Sequence, residues 1–175
     1  MNTLETLFSR KCVRKYTDNI TAEELDTILT AANAAPVGLA QYGSLHLTVI
    51  SNPEMLQKIN AATAAISNRP NANPIYGAPT LILVSYVKPE PARENLTYSN
   101  AAIVAHNMAL AATELGLGVC YIWGVPKALL SAPELMAELG VPEGHIPCCS
   151  ITLGKTDYVY TRREIPDRIA KNIID

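Results

Sequence analysis

At 175 residues the chain has the size of one domain, and a chain of that length buries roughly 70% of its unfolded surface, enough for a core of its own. Its 14 Lys and Arg against 16 Asp and Glu leave a net charge of −2 and a pI near 5.9, so no global field draws it to nucleic acid or anionic lipid, and any anion site has to be local. The N-terminus carries Glu5, Arg10 and Lys11 where a secretory leader would be apolar, and the longest apolar run, residues 101–125, is interrupted by His106, Asn107, Glu114, Gly116 and Gly118. Neither reads as a leader or a membrane span, and the expected location is the cytoplasm.

The first feature in chain order is basic. After a short amphipathic turn, Arg10, Lys11, Arg14 and Lys15 stand close together in a chain that is otherwise sparing with cations. In an extended segment, side chains at i, i+2 and i+4 share a face, so Arg10, Cys12 and Arg14 project together. Two guanidiniums on one side suit a phosphate, which Arg grips with two hydrogen bonds. By spacing alone the run also reads as a solvated surface turn.

Thr21-Ala22-Glu23-Glu24 is a capping box, and Leu25, Ile28, Leu29 and Ala32 follow at helical spacing until Pro36. Leu45–Ile50 is rich in β-formers and reads as a strand; Asn52-Pro53 then opens a helix with Leu56, Ile59 and Ile66 on one stripe. Residues 67–78, with Asn68, Pro70, Asn71, Asn73, Pro74 and Gly77, carry turn signals throughout and read as a loop long enough to be functional. Thr80–Val87 is an apolar strand, and after a polar stretch over residues 88–97 a long helix is expected over residues 99–115.

That helix is unusual in being apolar nearly all round. Ala101, Ala105, Ala109 and Ala112 form a ridge of small residues, and Ile103, Val104, Met108, Leu110 and Leu115 cover much of the rest. Two readings remain: a central helix packed on a sheet within one chain, or a subunit interface. Gly116-Leu117-Gly118 closes it as a C-cap, and residues 119–123 turn into a strand. A short helix after Pro126, another over residues 133–139 closed by Gly140, and a strand over residues 146–153 complete the order α, α, β, α, β, α, β, α, α, β. This is an α+β or α/β arrangement of helices over a small sheet. The polar tail beyond Lys155 holds a second basic pair, Arg162-Arg163.

Cys12, Cys120, Cys148 and Cys149 show no C-x-x-C spacing and His46, His106 and His145 lie far apart, so no metal site is expected. Cys120, Cys148 and Cys149 sit in apolar runs and read as small buried thiols. Gly116-Leu117-Gly118 precedes a strand rather than following one, so it is not a dinucleotide-binding fingerprint.

Over essentially its whole length this arrangement resembles the FMN-dependent nitroreductase family, whose opening Arg-Arg/Lys-Ser-x-Arg segment corresponds to Arg10-Lys11-Cys12-Val13-Arg14. Ala34-Ala35-Pro36-Val37-Gly38 matches the family's Ala-Pro-Ser loop, Asn71 or Asn73 its asparagine near the flavin, and Asn107 and Gly116-Leu117-Gly118 its alanine-rich helix. Ile122-Trp123-Gly124 falls where backbone groups approach flavin N5, and Leu153-Gly154 followed by Arg162-Arg163 resembles the terminal segment whose basic residue returns to the phosphate. The resemblance implies one FMN-binding domain over residues 1–175, an α+β fold of three α/β/α layers around a small, mostly antiparallel sheet, and an entwined homodimer built on the 99–115 helix.

The resemblance further implies FMN held by Arg10, Lys11, Cys12, Arg14, Pro36, Val37, Gly38, Asn71, Asn73, Ile122, Trp123, Gly124, Arg162 and Arg163, with Gln41 and Tyr42 on the substrate face. NADH or NADPH is the implied reductant, leaving before a small-molecule acceptor such as a nitroaromatic or quinone takes its place. Two departures stand out: Cys12 replaces a serine hydroxyl with a weaker thiol donor, and Ala40-Gln41-Tyr42-Gly43 replaces the family's Asn-x-Gln-Pro-Trp run, which faces the flavin from the partner subunit. Two alternatives stay open: a dehalogenating or flavin-fragmenting enzyme of the same fold, and a non-catalytic flavin or nucleotide sensor.

Overall fold

The computed structural model describes residues 2–67, 69 and 71–174. Its element order is α1 (Thr3–Ser9), α2 (Ala22–Asn33), β1 (Leu45–Ile50), α3 (Pro53–Ile66), β2 (Thr80–Val87), α4 (Glu94–Glu114), β3 (Gly118–Tyr121), α5 (Gly124–Leu130), α6 (Pro133–Glu138) and β4 (His145–Gly154), the order expected from the sequence. The four strands form one sheet in the order β1-β2-β4-β3, and every pairing is antiparallel rather than mostly so.

Side-chain alternation along β2 builds the layers. Ile82, Val84 and Tyr86 point to one face, where α2 and α4 cover them with Ile28, Ala32, Ala101, Ala105, Met108 and Ala112. Leu81 and Leu83 point to the other, where α3, α5 and α6 supply Leu56, Ile59, Val125, Leu129 and Leu135. Being covered on both faces, β2 reads as a continuous apolar run rather than an alternating one. β4 crosses the same two layers and carries Pro147 in mid-sheet. The register shift at Val84/Ser85 leaves Cys148 unpaired opposite β2, and this bulge accommodates a residue without an N–H.

The sequence signals at the helix ends act as expected. Thr21 and Glu24 make the reciprocal capping box, and Asn52 Oδ1 accepts from Met55 N at 3.0 Å with Pro53 in the first turn. At the end of α4, Gly116 takes φ +74°, and Leu117 N donates to Ala112 O at 2.8 Å in a Schellman closure. Two boundaries differ from expectation. α4 begins at Glu94, five residues early, because the polar stretch before Ser99 already forms its exposed first turns while Thr97 and Asn100 are buried. β3 ends at Tyr121, and α5 begins at Gly124, since Pro126 sits in a first turn where its missing N–H costs nothing.

The alanine ridge of α4 is consumed inside the chain. Ala101, Ala105, Ala109 and Ala112 are all fully buried against the sheet and α2, whereas Ile103, His106 and Leu115 stay exposed. No described helix is long and apolar enough to cross a membrane.

Candidate functional site

The segment after α1 crosses the free edge of β3. Val13 N donates to Val119 O at 2.9 Å, and Thr17 N and Lys155 N tie the segment to the end of β4. Tyr16 lies flat over that edge because Gly118 and Gly154 leave room for it: a Cβ at Gly154 would stand 2.8 Å from the Tyr16 ring and 2.9 Å from Pro79. Its hydroxyl donates to Val13 O at 3.0 Å and lies 2.7 Å from Thr152 Oγ1. The basic run is therefore fixed to the sheet by its backbone, and its side chains are free to face outward.

The chain leaving β4 returns along the same segment. Thr156 Oγ1 donates to Lys15 O at 2.9 Å, and Tyr158 receives the Lys11 ammonium 5.3 Å over its ring. Between the two strands of chain lies a cavity of about 530 Å³ walled by Lys11, Cys12, Val13, Arg14, Lys15, Thr17, Thr156, Asp157 and Tyr158. Three cations against one carboxylate make this a positively charged recess in an acidic protein. It has the donor set and charge of a phosphate site.

Next to it is an aromatic shelf. Trp123, 62% exposed, stacks on Tyr121 at 6.2 Å, and Tyr121 stacks on His106 at 6.3 Å and meets its Nδ1 with the hydroxyl at 2.7 Å. Cavities of about 430 and 380 Å³ open on the two sides of these rings; the second is bordered by Thr63, Pro74, Tyr76, Ile122 and Gly124. Arg14 reaches toward that side, 5.3 Å over the Tyr76 ring. Partial shielding of its ring from water, and secondly the charge of Arg10, push His106 below its ordinary value, which favours the neutral imidazole. A planar ring placed on this shelf with a phosphate in the cationic recess would satisfy both parts, and the residues present therefore fit a phosphorylated aromatic cofactor.

Cys12 and Cys120 form a coupled pair beside the recess. The neighbouring Cys120 thiol, foremost, draws the Cys12 thiol well below the usual range against the opposing effect of burial, and the Tyr121 backbone and Arg10 add to it. Cys120 is correspondingly pushed up, first by the neighbouring Cys12 and then by burial. Of the two thiols, Cys12 is the one favoured to lose its proton.

The other residues expected at the site fall elsewhere. Pro36, Val37 and Gly38 pack at the other end of α4: Gly38 N donates to Asn100 Oδ1 at 2.8 Å, and Gln41 Oε1 accepts from Tyr86 at 3.0 Å. Tyr42 donates to Ala35 O at 3.0 Å. The basic segment follows α1, whose Thr6 bonds Glu114 at the C-terminal end of α4. Asn100 and Glu114 are fourteen residues apart on one helix, about 20 Å at 1.5 Å per residue. Within one chain, the Pro36–Tyr42 group and the cationic recess do not share a pocket.

Arg162 is also taken elsewhere. It pairs with Glu5 at 2.6 Å and lies 4.6 Å over the Phe8 ring, so it anchors the tail to α1 rather than entering the recess. Arg163 N donates to Phe8 O at 3.2 Å, and its buried Nε meets no hydrogen-bond partner among the described residues. Asn73 Oδ1 accepts from Gly77 N at 3.2 Å and borders a separate cavity of about 610 Å³ whose walls carry no charged side chain; Asn71 is exposed on the same loop. Asn68 and Pro70 of that loop lie outside the described residues. Sequence reasoning named Lys15 in the basic run without placing it in the site, and missed Thr156, Asp157 and Tyr158, whose signal was only the polarity of the chain just after β4; a contact 141 residues distant leaves no local trace.

Comparison with known proteins identifies the family and its relatives. The family model described as "Nitroreductase family" matches residues 7–155. The FMN reductase (NADPH) of Bacillus subtilis strain 168 is 27% identical over 169 residues, covering 87% of this chain, which spans only 65% of that relative's length. A Methanothermobacter thermautotrophicus protein, provisionally named NADH dehydrogenase/NAD(P)H nitroreductase, is 32% identical over 97% of this chain and 86% of its own length. Among solved structures, the nitroreductase with bound FMN from Bacteroides fragilis NCTC 9343 superimposes with a TM-score of 0.83 at 30% identity, covering all of both chains.

Proposed function

The chain belongs to the nitroreductase family, and from that premise we propose that it is an FMN-dependent NAD(P)H oxidoreductase with a single FMN-binding domain over residues 1–175. The observation that carries this reading is the cationic recess of Lys11, Arg14 and Lys15 opening beside the Tyr121–Trp123 shelf. Lys11, Arg14 and Lys15 hold the FMN phosphate, with Arg10 behind them at Cys12 and Tyr121. The shelf and the backbone at Ile122, Trp123 and Gly124 carry the ring. Bound there, FMN would supply the redox chemistry between a reduced nicotinamide and an acceptor.

The protein's part is placement and access. No described carboxylate or imidazole stands at the shelf as an acid or base except His106, whose Nδ1 is engaged by Tyr121. Reductant and acceptor use the same open side of the shelf in turn, which makes a ping-pong cycle, and a nitroaromatic or quinone is the acceptor class that suits a flat aromatic surface. The Pro36–Tyr42 group borders neither the recess nor the cavities at the shelf, and a second copy of the chain would bring it there. The exposed Ile103 and Trp123 offer that copy an apolar surface continuous with the site. We therefore read the protein as a homodimer in which each site is completed by its partner.

The reading is tested by steady-state kinetics with both nicotinamides against a panel of nitroaromatic and quinone acceptors. Parallel double-reciprocal lines for at least one acceptor are expected. Turnover that requires nicotinamide and acceptor bound together, giving intersecting lines, would overturn the shared-face mechanism.

A further inference from the structure

The thiol pair at the edge of β3 goes beyond what the redox chemistry above uses. The Val13–Val119 bond sets Cys12 beside Cys120 across the strand edge, and both side chains pack into the same core cluster, where Cys120 Sγ donates to Tyr121 O at 3.5 Å. Cys12 is half-buried and lines the 530 Å³ recess, open to small solutes, whereas Cys120 is 1% exposed. The two remaining cysteines provide internal contrast. Cys148 and Cys149 donate to Ile146 O and Ala101 O, and burial pushes them up to about 11 and about 12.

We propose that Cys12 and Cys120 are a peroxide-oxidisable dithiol, with Cys12 the attacking and Cys120 the resolving sulfur. The Cys12 thiolate attacks one oxygen of hydrogen peroxide, the O–O bond breaks, and hydroxide leaves and takes up a proton as water, giving Cys12 sulfenic acid. The Cys120 sulfur then attacks the Cys12 sulfur; the S–S bond forms, the S–O bond breaks, and the hydroxyl departs with the Cys120 proton as a second water. Two thiols are oxidised by two electrons and one peroxide is reduced. The bridge pins the basic segment to β3 and removes the thiolate charge from beside Arg10 and Arg14. The pair reacts without a bound cofactor, so this inference stands separately from the FMN reading.

The test is mass spectrometry of the purified full-length protein after a small excess of hydrogen peroxide without nicotinamide, followed by alkylation and digestion without reductant. The expected product is a Cys12–Cys120 linked peptide that disappears with dithiothreitol, formed roughly tenfold faster than any oxidation of Cys148. Cys120→Ser should stop at a Cys12 sulfenic acid trapped by dimedone, and Cys12→Ser should leave Cys120 unoxidised. Absence of the linked peptide from the unmutated protein, or oxidation of Cys148 as fast as Cys12, would overturn the assignment whatever the variants do.

Discussion

Arg14 serves two surfaces at once, walling the cationic recess and lying over Tyr76 at the border of the aromatic shelf. Replacing it removes a charge-assisted grip on the phosphate, a contact of about 1.5–3 kcal/mol, so Arg14→Ala should raise the FMN dissociation constant by at least about tenfold. Lys88→Ala, outside the recess, should leave it unchanged, and equal loss in both variants would refute the placement. Cys12 is more ambiguous, because its thiolate uses the same positive field that a phosphate would use. Cys12→Ser removes that competing charge and supplies a stronger donor, so FMN should bind more tightly, as measured by fluorescence titration. Weaker binding would show the thiol to be adapted to its site.

At the scale of elements, the order of helices and strands was legible because each boundary carried local chemistry: the Thr21–Glu24 box, Asn52-Pro53, and Gly116 after α4. What was not legible was distance. Nothing in the spacing of Arg162 shows that Glu5 and Phe8 claim it, and nothing in the Pro36–Gly38 loop shows that Asn100 holds it at the far end of α4 from the basic run. The start of α4 was missed for a different reason, since an exposed first turn has the composition of a loop. Cutting the cap with Thr21→Ala should cost about 1 kcal/mol in chemical denaturation.

Glu24 extends the same device to tertiary structure. Burial raises its carboxyl, but Lys155 and the Thr21 N–H outweigh that and hold it below its ordinary value. A depressed folded value stabilises the protein above the unfolded value of about 4.3 and is lost as pH falls through the folded one. Melts between pH 6 and 3 should therefore decline less steeply in Glu24→Gln than in the unmutated chain. Parallel decline would remove Glu24 from the acid response.

For the whole molecule, the two ends of α4 pose a single question. One packs on α1, from which the basic segment of the recess runs, the other holds Pro36, Gln41 and Tyr42, and a shared site needs two copies. Ile103→Arg places a charge on the exposed apolar strip between α4 and Trp123 and should shift sedimentation from dimer to monomer with loss of bound flavin. A monomer retaining FMN as tightly would contradict a site completed by the partner. The central claim, that this recess and shelf make a nicotinamide-reduced FMN enzyme, is tested most directly by anaerobic titration of the purified FMN-loaded protein with NADH and NADPH. The account predicts that at least one of them bleaches the flavin absorbance and that an added quinone restores it. A protein that takes up no FMN, or a yellow one that neither nicotinamide bleaches, would contradict it.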